Sequence, residues 1–92
     1  MQKRLECKVR GRVQMVMYRD FTMRKARKLG LVGTVKNNID GTVSVVAEGE
    51  EESLHEFIPL LMKGSLLARV DAVSVIWKDA TNKFTQFVIA YK

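Results

Sequence analysis

The residues with the clearest chemical potential lie in one stretch, Gly11-Arg12-Val13-Gln14-Met15-Val16-Met17-Tyr18-Arg19. An alternating, strand-like run ends here and a helical pattern begins. A strand that turns straight into a helix leaves the N–H groups of the turn and of the first helical turn without acceptors, at the positive end of the helix dipole. The backbone from Gln14 through Met15, Val16, Met17 and Tyr18 to Arg19 is therefore a candidate anion seat. Arg19 sits at its end, and a planar guanidinium can hold a phosphate through two parallel hydrogen bonds. The other polar candidate is Asn37, which closes a neighbouring strand-like segment.

These residues need elements to carry them. From Leu5 to Val13 the pattern alternates, with Leu5, Cys7, Val9, Gly11 and Val13 on one face and charged residues on the other, as in a half-buried strand. Tyr18, Phe21, Thr22, Ala26 and Leu29 recur at helical spacing, and Gly30 is placed to end that helix. Its opposite face carries Arg24, Lys25, Arg27 and Lys28, a pattern that a solvated face explains as well as phosphate binding does. Leu31–Asn37 and Thr42–Glu48 read as two strands of a hairpin turned at Asp40-Gly41, with Val43, Val45 and Ala47 inward.

Glu50 to Lys63 reads as a second helix with Leu54, Phe57, Ile58 and Leu61 on one stripe. Ser53 and Glu56 have the spacing of a capping box, while the acidic run permits a start near Glu50. Pro59 predicts either a kink or a late start, because an interior proline removes a helical hydrogen bond. Arg69–Trp77 is a Val-rich strand whose mixed alternation predicts a bulge or burial on both faces, and Phe84–Tyr91 is a last strand. The order is β-α-β-β-α-β with an additional C-terminal strand. It predicts an α+β fold, a two-layer α/β sandwich of ferredoxin-like type with two helices on one sheet face, as a single domain over residues 1–92.

Composition narrows the chemistry. Sixteen Lys and Arg against ten Asp and Glu give a net charge of +6, which favours anionic partners. Cys7 is the one cysteine and falls on the apolar face, so neither an intramolecular disulfide nor a cysteine-based metal cluster is available. The basic N-terminus lacks an apolar signal core and no apolar run approaches membrane-spanning length, so a cytoplasmic setting without a membrane is the expectation. His55 is the one histidine and lies off the apolar stripe, as a solvated helix residue. Thr42–Glu48 has no aromatic residue with which a sheet surface could stack RNA bases, and no Walker-type loop, serine triad or dinucleotide fingerprint is present.

At these positions the sequence resembles the acylphosphatase family. That family's pattern, roughly Gly-x-Val-Gln-Gly-Val-x-Phe-Arg, is matched by Gly11 to Arg19. Its Ala-x-x-Leu-Gly-Leu is matched by Ala26 to Leu31, and its Gly-x-Val-x-Asn by Gly33 to Asn37, followed by Asp40-Gly41. Ala68-Arg69-Val70 and Phe87-Val88-Ile89 continue the match, in register, over nearly the whole chain. The resemblance implies hydrolysis of the carboxyl–phosphate bond of acyl phosphates without metal or cofactor. In those terms the loop amides and Arg19 hold the phosphoryl group and Asn37 orients the attacking water. The chemistry is consistent, since phosphoryl transfer asks for positioning and charge stabilisation, and a carboxylate leaves without a general acid.

One position departs from the pattern: Met15 stands where the family has glycine. If that residue needs a positive φ, methionine accepts it at a cost of roughly 1 kcal/mol. Met15 and Met17 would set two thioethers beside the seat, with three open consequences: a narrowed pocket, a preference for apolar acyl groups, or lowered activity. Two other readings stand beside the enzyme. One is an anion-binding or regulatory module with turnover impaired by Met15; the other is a basic nucleic-acid-binding sandwich. The expected partner is a small acyl phosphate, with no nucleic acid and a monomeric chain.

Overall fold

A computed structural model describes residues 1–91. In chain order the elements are β1 (Gln2–Arg12), α1 (Tyr18–Lys28), β2 (Val32–Asn37), β3 (Val43–Glu50), α2 (Glu51–Lys63), β4 (Arg69–Asp79) and β5 (Phe87–Ala90). The strands form one mixed sheet in the order β4-β1-β3-β2-β5. All pairings are antiparallel except that of β5, which runs parallel to β2 at the sheet edge. This is the ferredoxin-like arrangement with one extra edge strand.

Alternation along the strands decides which face is covered. Leu5, Cys7 and Val9 of β1, Val35 of β2, Val43, Val45 and Ala47 of β3 and Phe87 of β5 are buried. They meet Tyr18 and Ala26 of α1 and Leu54, Phe57 and Leu61 of α2 in one core. Lys8, Arg10 and Ser74, on the opposite parity, are exposed. At about 25 cal/mol per Å² of apolar surface, this shared core is the main favourable term in folding.

Local devices set the element ends. Gly30 takes φ 74° after α1, and two bonds close a Schellman motif, from Leu31 N to the Ala26 carbonyl (2.9 Å) and from Gly30 N to the Arg27 carbonyl (3.0 Å). The β2–β3 hairpin is closed by Asn38 N on the Thr42 carbonyl at 2.8 Å, with the Asp40 carboxylate accepting from Thr42 N and Oγ1. The expected bulge in β4 is present. Arg10 faces Ala72 and Gly11 faces Val70, which leaves Asp71 as the extra residue. Gly11 is required opposite it, at φ 131°, because a Cβ there would lie 2.1 Å from the Arg69 carbonyl oxygen.

Of the two starts open to α2 the earlier one is observed, and the bounds of two strands are corrected. Helix α2 starts at Glu51 with Glu50 as its N-cap residue and no side-chain cap, so Ser53 and Glu56 form no capping box and no late start relieves Pro59. Pro59 lies inside the helix, and the His55 carbonyl one turn before it has no helical N–H to accept. The last strand covers Phe87–Ala90 rather than Phe84–Tyr91. The opening strand reaches back to Gln2, because β3 and β4 pair with β1 well before Leu5.

Candidate phosphate site

The Gly11 bulge delivers the chain from β1 into a loop of unusual backbone shape. Met15 has φ 60° and Met17 has φ 63°, both left-handed, on either side of buried Val16. Met17 is the N-cap residue of α1. Among the described residues, no N–H from Gln14 through Asp20 donates to a backbone or side-chain acceptor; the first bonded one is Phe21 N, on the Met17 carbonyl at 3.0 Å. A left-handed residue between others turns successive N–H groups toward a common point, and an unfilled run of them at a helix start is an anion cradle.

Three side chains tie this loop to distant elements. Gln14 Nε2 donates to the Asn38 carbonyl at 2.8 Å and to the Thr42 carbonyl at 2.9 Å, which pins one side of the loop to the β2–β3 turn. Ser65 Oγ donates to the Val16 carbonyl at 2.8 Å, which pins the other side to the linker between α2 and β4. Tyr18 hydroxyl donates to the Leu61 carbonyl of α2 at 2.8 Å, and burial pushes its phenol well above the usual range. The Phe-to-Tyr difference in the motif is thereby satisfied inside the protein. The sequence pattern marks Gln14 only as part of the loop backbone, and nothing in it marks Ser65 as an anchor 49 positions away.

Arg19 is half-buried in the first turn of α1. Its guanidinium forms no ion pair among the described residues and lies over the Tyr91 ring, 5.3 Å from the centroid. Tyr91 in turn lines a cleft with Lys36, Asn37, Asn38, Ile39 and Asp40. The two sequence-predicted side chains thus come to one end of the sheet, linked through Tyr91, which the pattern places only on a strand parity. Asn37 ends β2, and its Oδ1 is buried with no hydrogen-bond partner. A buried amide oxygen without a donor costs on the order of 1–3 kcal/mol unless a water or ligand supplies one.

The flanking methionines differ from each other. The Met15 side chain is 99% exposed and leaves the seat open, while Met17 lines a groove on the linker side of the loop. The basic face of α1 is largely engaged. Arg24 pairs with Asp20 at 2.9 Å, Arg27 Nε donates to the Phe87 carbonyl at 3.0 Å, and Lys25 lies over the Phe21 ring. Cys7 is buried, which pushes its thiol up to about 11. His55 is exposed on α2, against Trp77 and remote from the loop in the fold. Among the described residues, no group of His, Cys, Asp and Glu is disposed to hold a metal, and no helix is long and apolar enough to cross a membrane.

Comparison with known proteins adds an independent line. The family model described as Acylphosphatase matches residues 5–89. The chain is 42% identical over 86 residues to an acylphosphatase of Salinibacter ruber, covering 94% of this chain and 90% of that one. It is 53% identical over 76 residues to an acylphosphatase of Thermus thermophilus, covering 83% of this chain and 86% of that one. The crystal structure of acylphosphatase from Bacillus subtilis superposes with a TM-score of 0.94 at 36% identity, over 97% of this chain and 99% of that one.

Proposed function

The chain belongs to the acylphosphatase family, and from that membership we propose that it hydrolyses acyl phosphates to carboxylate and phosphate, with Arg19 and Asn37 as its catalytic residues. The phosphoryl group sits on the N–H groups of the loop from Gln14 to Arg19, and the Arg19 guanidinium clasps two of its oxygens. A water held by Asn37 attacks. An amide cannot take the proton at neutral pH, so Asn37 acts by position, holding the water through hydrogen bonds. As the water oxygen bonds to phosphorus, the bond from phosphorus to the carboxylate oxygen breaks. The electron pair leaves with the carboxylate, and the water's proton passes to solvent. Fixed N–H dipoles and a planar cation stabilise the equatorial oxygens where charge builds up.

The observation that carries this reading is the run of unbonded N–H groups from Gln14 to Asp20, ending at an Arg19 with no carboxylate partner among the described residues. Met15 already takes the left-handed conformation a glycine would supply and keeps its side chain in solvent, which weighs for turnover over an impaired binding module. The internal engagement of Arg24, Lys25 and Arg27 weighs against nucleic acid as the partner. On this reading the protein is a single domain over residues 1–92, a cytoplasmic monomer that needs no metal. Acetyl phosphate hydrolysis in the presence of a chelator tests it. The parent protein should turn over, and Arg19→Ala and Asn37→Ala should each lose a factor of about 10² to 10³ in kcat with unchanged circular dichroism. Equal rates for parent and variants would overturn the assignment.

A further inference from the structure

Met17 has two properties that hydrolysis does not use. It is the N-cap residue of α1, yet its side chain makes no cap. A side-chain oxygen at that position accepts from the second or third N–H of the helix, which here belong to Arg19 and Asp20. A thioether is too weak an acceptor for this, and both donors stay unbonded. The Met17 side chain is also 68% exposed, on a residue held at φ 63° in the phosphate loop. An exposed methionine is open to oxidation, which turns a flexible apolar side chain into a polar one carrying an acceptor oxygen. Met15 is more exposed still, but it lies two residues before the cap position.

We propose that Met17 is a peroxide-sensitive modification site that switches the phosphate loop off: its sulfoxide oxygen caps α1 and takes the N–H donors that phosphate would use. The proposal rests on the hydrolase reading above and adds the regulation of that site. The thioether sulfur attacks one oxygen of hydrogen peroxide, and the S–O bond forms as the O–O bond breaks. Sulfur gives up two electrons, and the sulfur-bound oxygen passes its proton to the departing hydroxide, which leaves as water. A methionine sulfoxide reductase, drawing two electrons from a dithiol, returns the thioether and releases the oxygen as water. Cys7 is buried and shielded from the same oxidant.

Hydrogen peroxide treatment of the full chain, of Met17→Leu and of Met15→Leu tests the assignment. Peptide mass spectrometry locates the sulfoxide, and each protein is compared with its own untreated form for acetyl phosphate turnover and inorganic phosphate affinity. Oxidised parent and Met15→Leu should lose about tenfold in both, a competition on the scale of one helix cap, while Met17→Leu keeps both within about twofold. Sulfoxide reductase with dithiothreitol should restore the parent. Peroxide should lower the urea midpoint no further in the parent than in Met17→Leu, because a cap forms as the donors are taken. A larger fall in the parent marks damage to the fold and overturns the switch. A loss that persists in Met17→Leu, or a Met17 sulfoxide that leaves phosphate affinity unchanged, overturns it as well. A parent inactive before treatment overturns the hydrolase reading, and phosphate affinity then decides the switch by itself.

Discussion

Met15 illustrates how much a single φ decides. A left-handed methionine at φ 60° carries strain of roughly 1 kcal/mol that glycine would not, and its exposed side chain gains nothing from packing in return. Met15→Gly should therefore raise stability by about 1 kcal/mol in urea denaturation, and should leave acetyl phosphate turnover within about twofold. A gain in turnover of tenfold or more would show instead that methionine impairs the natural loop. Arg19 belongs to the same scale. Stacking on Tyr91 holds its guanidinium near the cleft without neutralising it, since an aromatic face attracts the cation but leaves its N–H donors free. In the proposed site, a carboxylate in that place would compete with phosphate for those donors.

At the scale of elements, α2 runs through Pro59 from Glu51 to Lys63. Leu54, Phe57 and Leu61 are fully buried along its stripe, and their burial outweighs the missing hydrogen bond at the exposed His55–Pro59 step. Pro59→Ala restores the donor and should raise stability by roughly 1–3 kcal/mol, read as a shift of the urea midpoint at constant slope. The elements were legible in the sequence because period-two and period-3.6 patterns report which face is buried. Leu5, Cys7 and Val9 marked β1, and Tyr18, Thr22 and Ala26 marked α1. Element ends were less legible. Ser53 and Glu56 have the spacing of a cap, but the Glu51 N–H bonds the Met1 carbonyl at 3.1 Å, a contact between chain regions that local spacing cannot contain. Phe84 opens the strand-like segment in the sequence, yet pairing with β2 begins only at Phe87 opposite Gly33. At the candidate site the sequence singles out Arg19 and Asn37 by type and position, with roles that belong to the proposed function, while the tethers from Gln14 and Ser65 depend on tertiary neighbours.

At the scale of the whole molecule, a buried carboxylate on β3 fastens the crossing from β4 to β5. Glu48 is 1% exposed and accepts from Arg4 at 2.9 Å, from Thr81 N and Oγ1 and from Asn82 N at 3.0 Å. Burial pushes its carboxyl up, but these donors more than offset that and hold it at about 2, below the ordinary 4.5. A depressed carboxyl stabilises the fold fully above its unfolded value and loses that contribution as pH falls toward the folded one. Stability should thus fall by about 3 kcal/mol between roughly pH 5 and pH 2 on account of this group, as read from denaturation midpoints. Glu48→Gln should be destabilised by about 3 kcal/mol at pH 7 and should show a flatter acid profile. The tethers of the phosphate loop carry a different consequence, one of timing. Its bonds join residues 24, 28, 49 and 43 positions apart, through Gln14, Ser65 and Tyr18. Each acts between segments that strand pairing must bring together first, since the β2–β3 turn and the α2–β4 linker reach the loop only once β3 and β4 have paired with β1. A refolding chain therefore acquires its sheet and helices before it acquires a competent cradle, and recovery of turnover reports the last stage of folding rather than the first collapse.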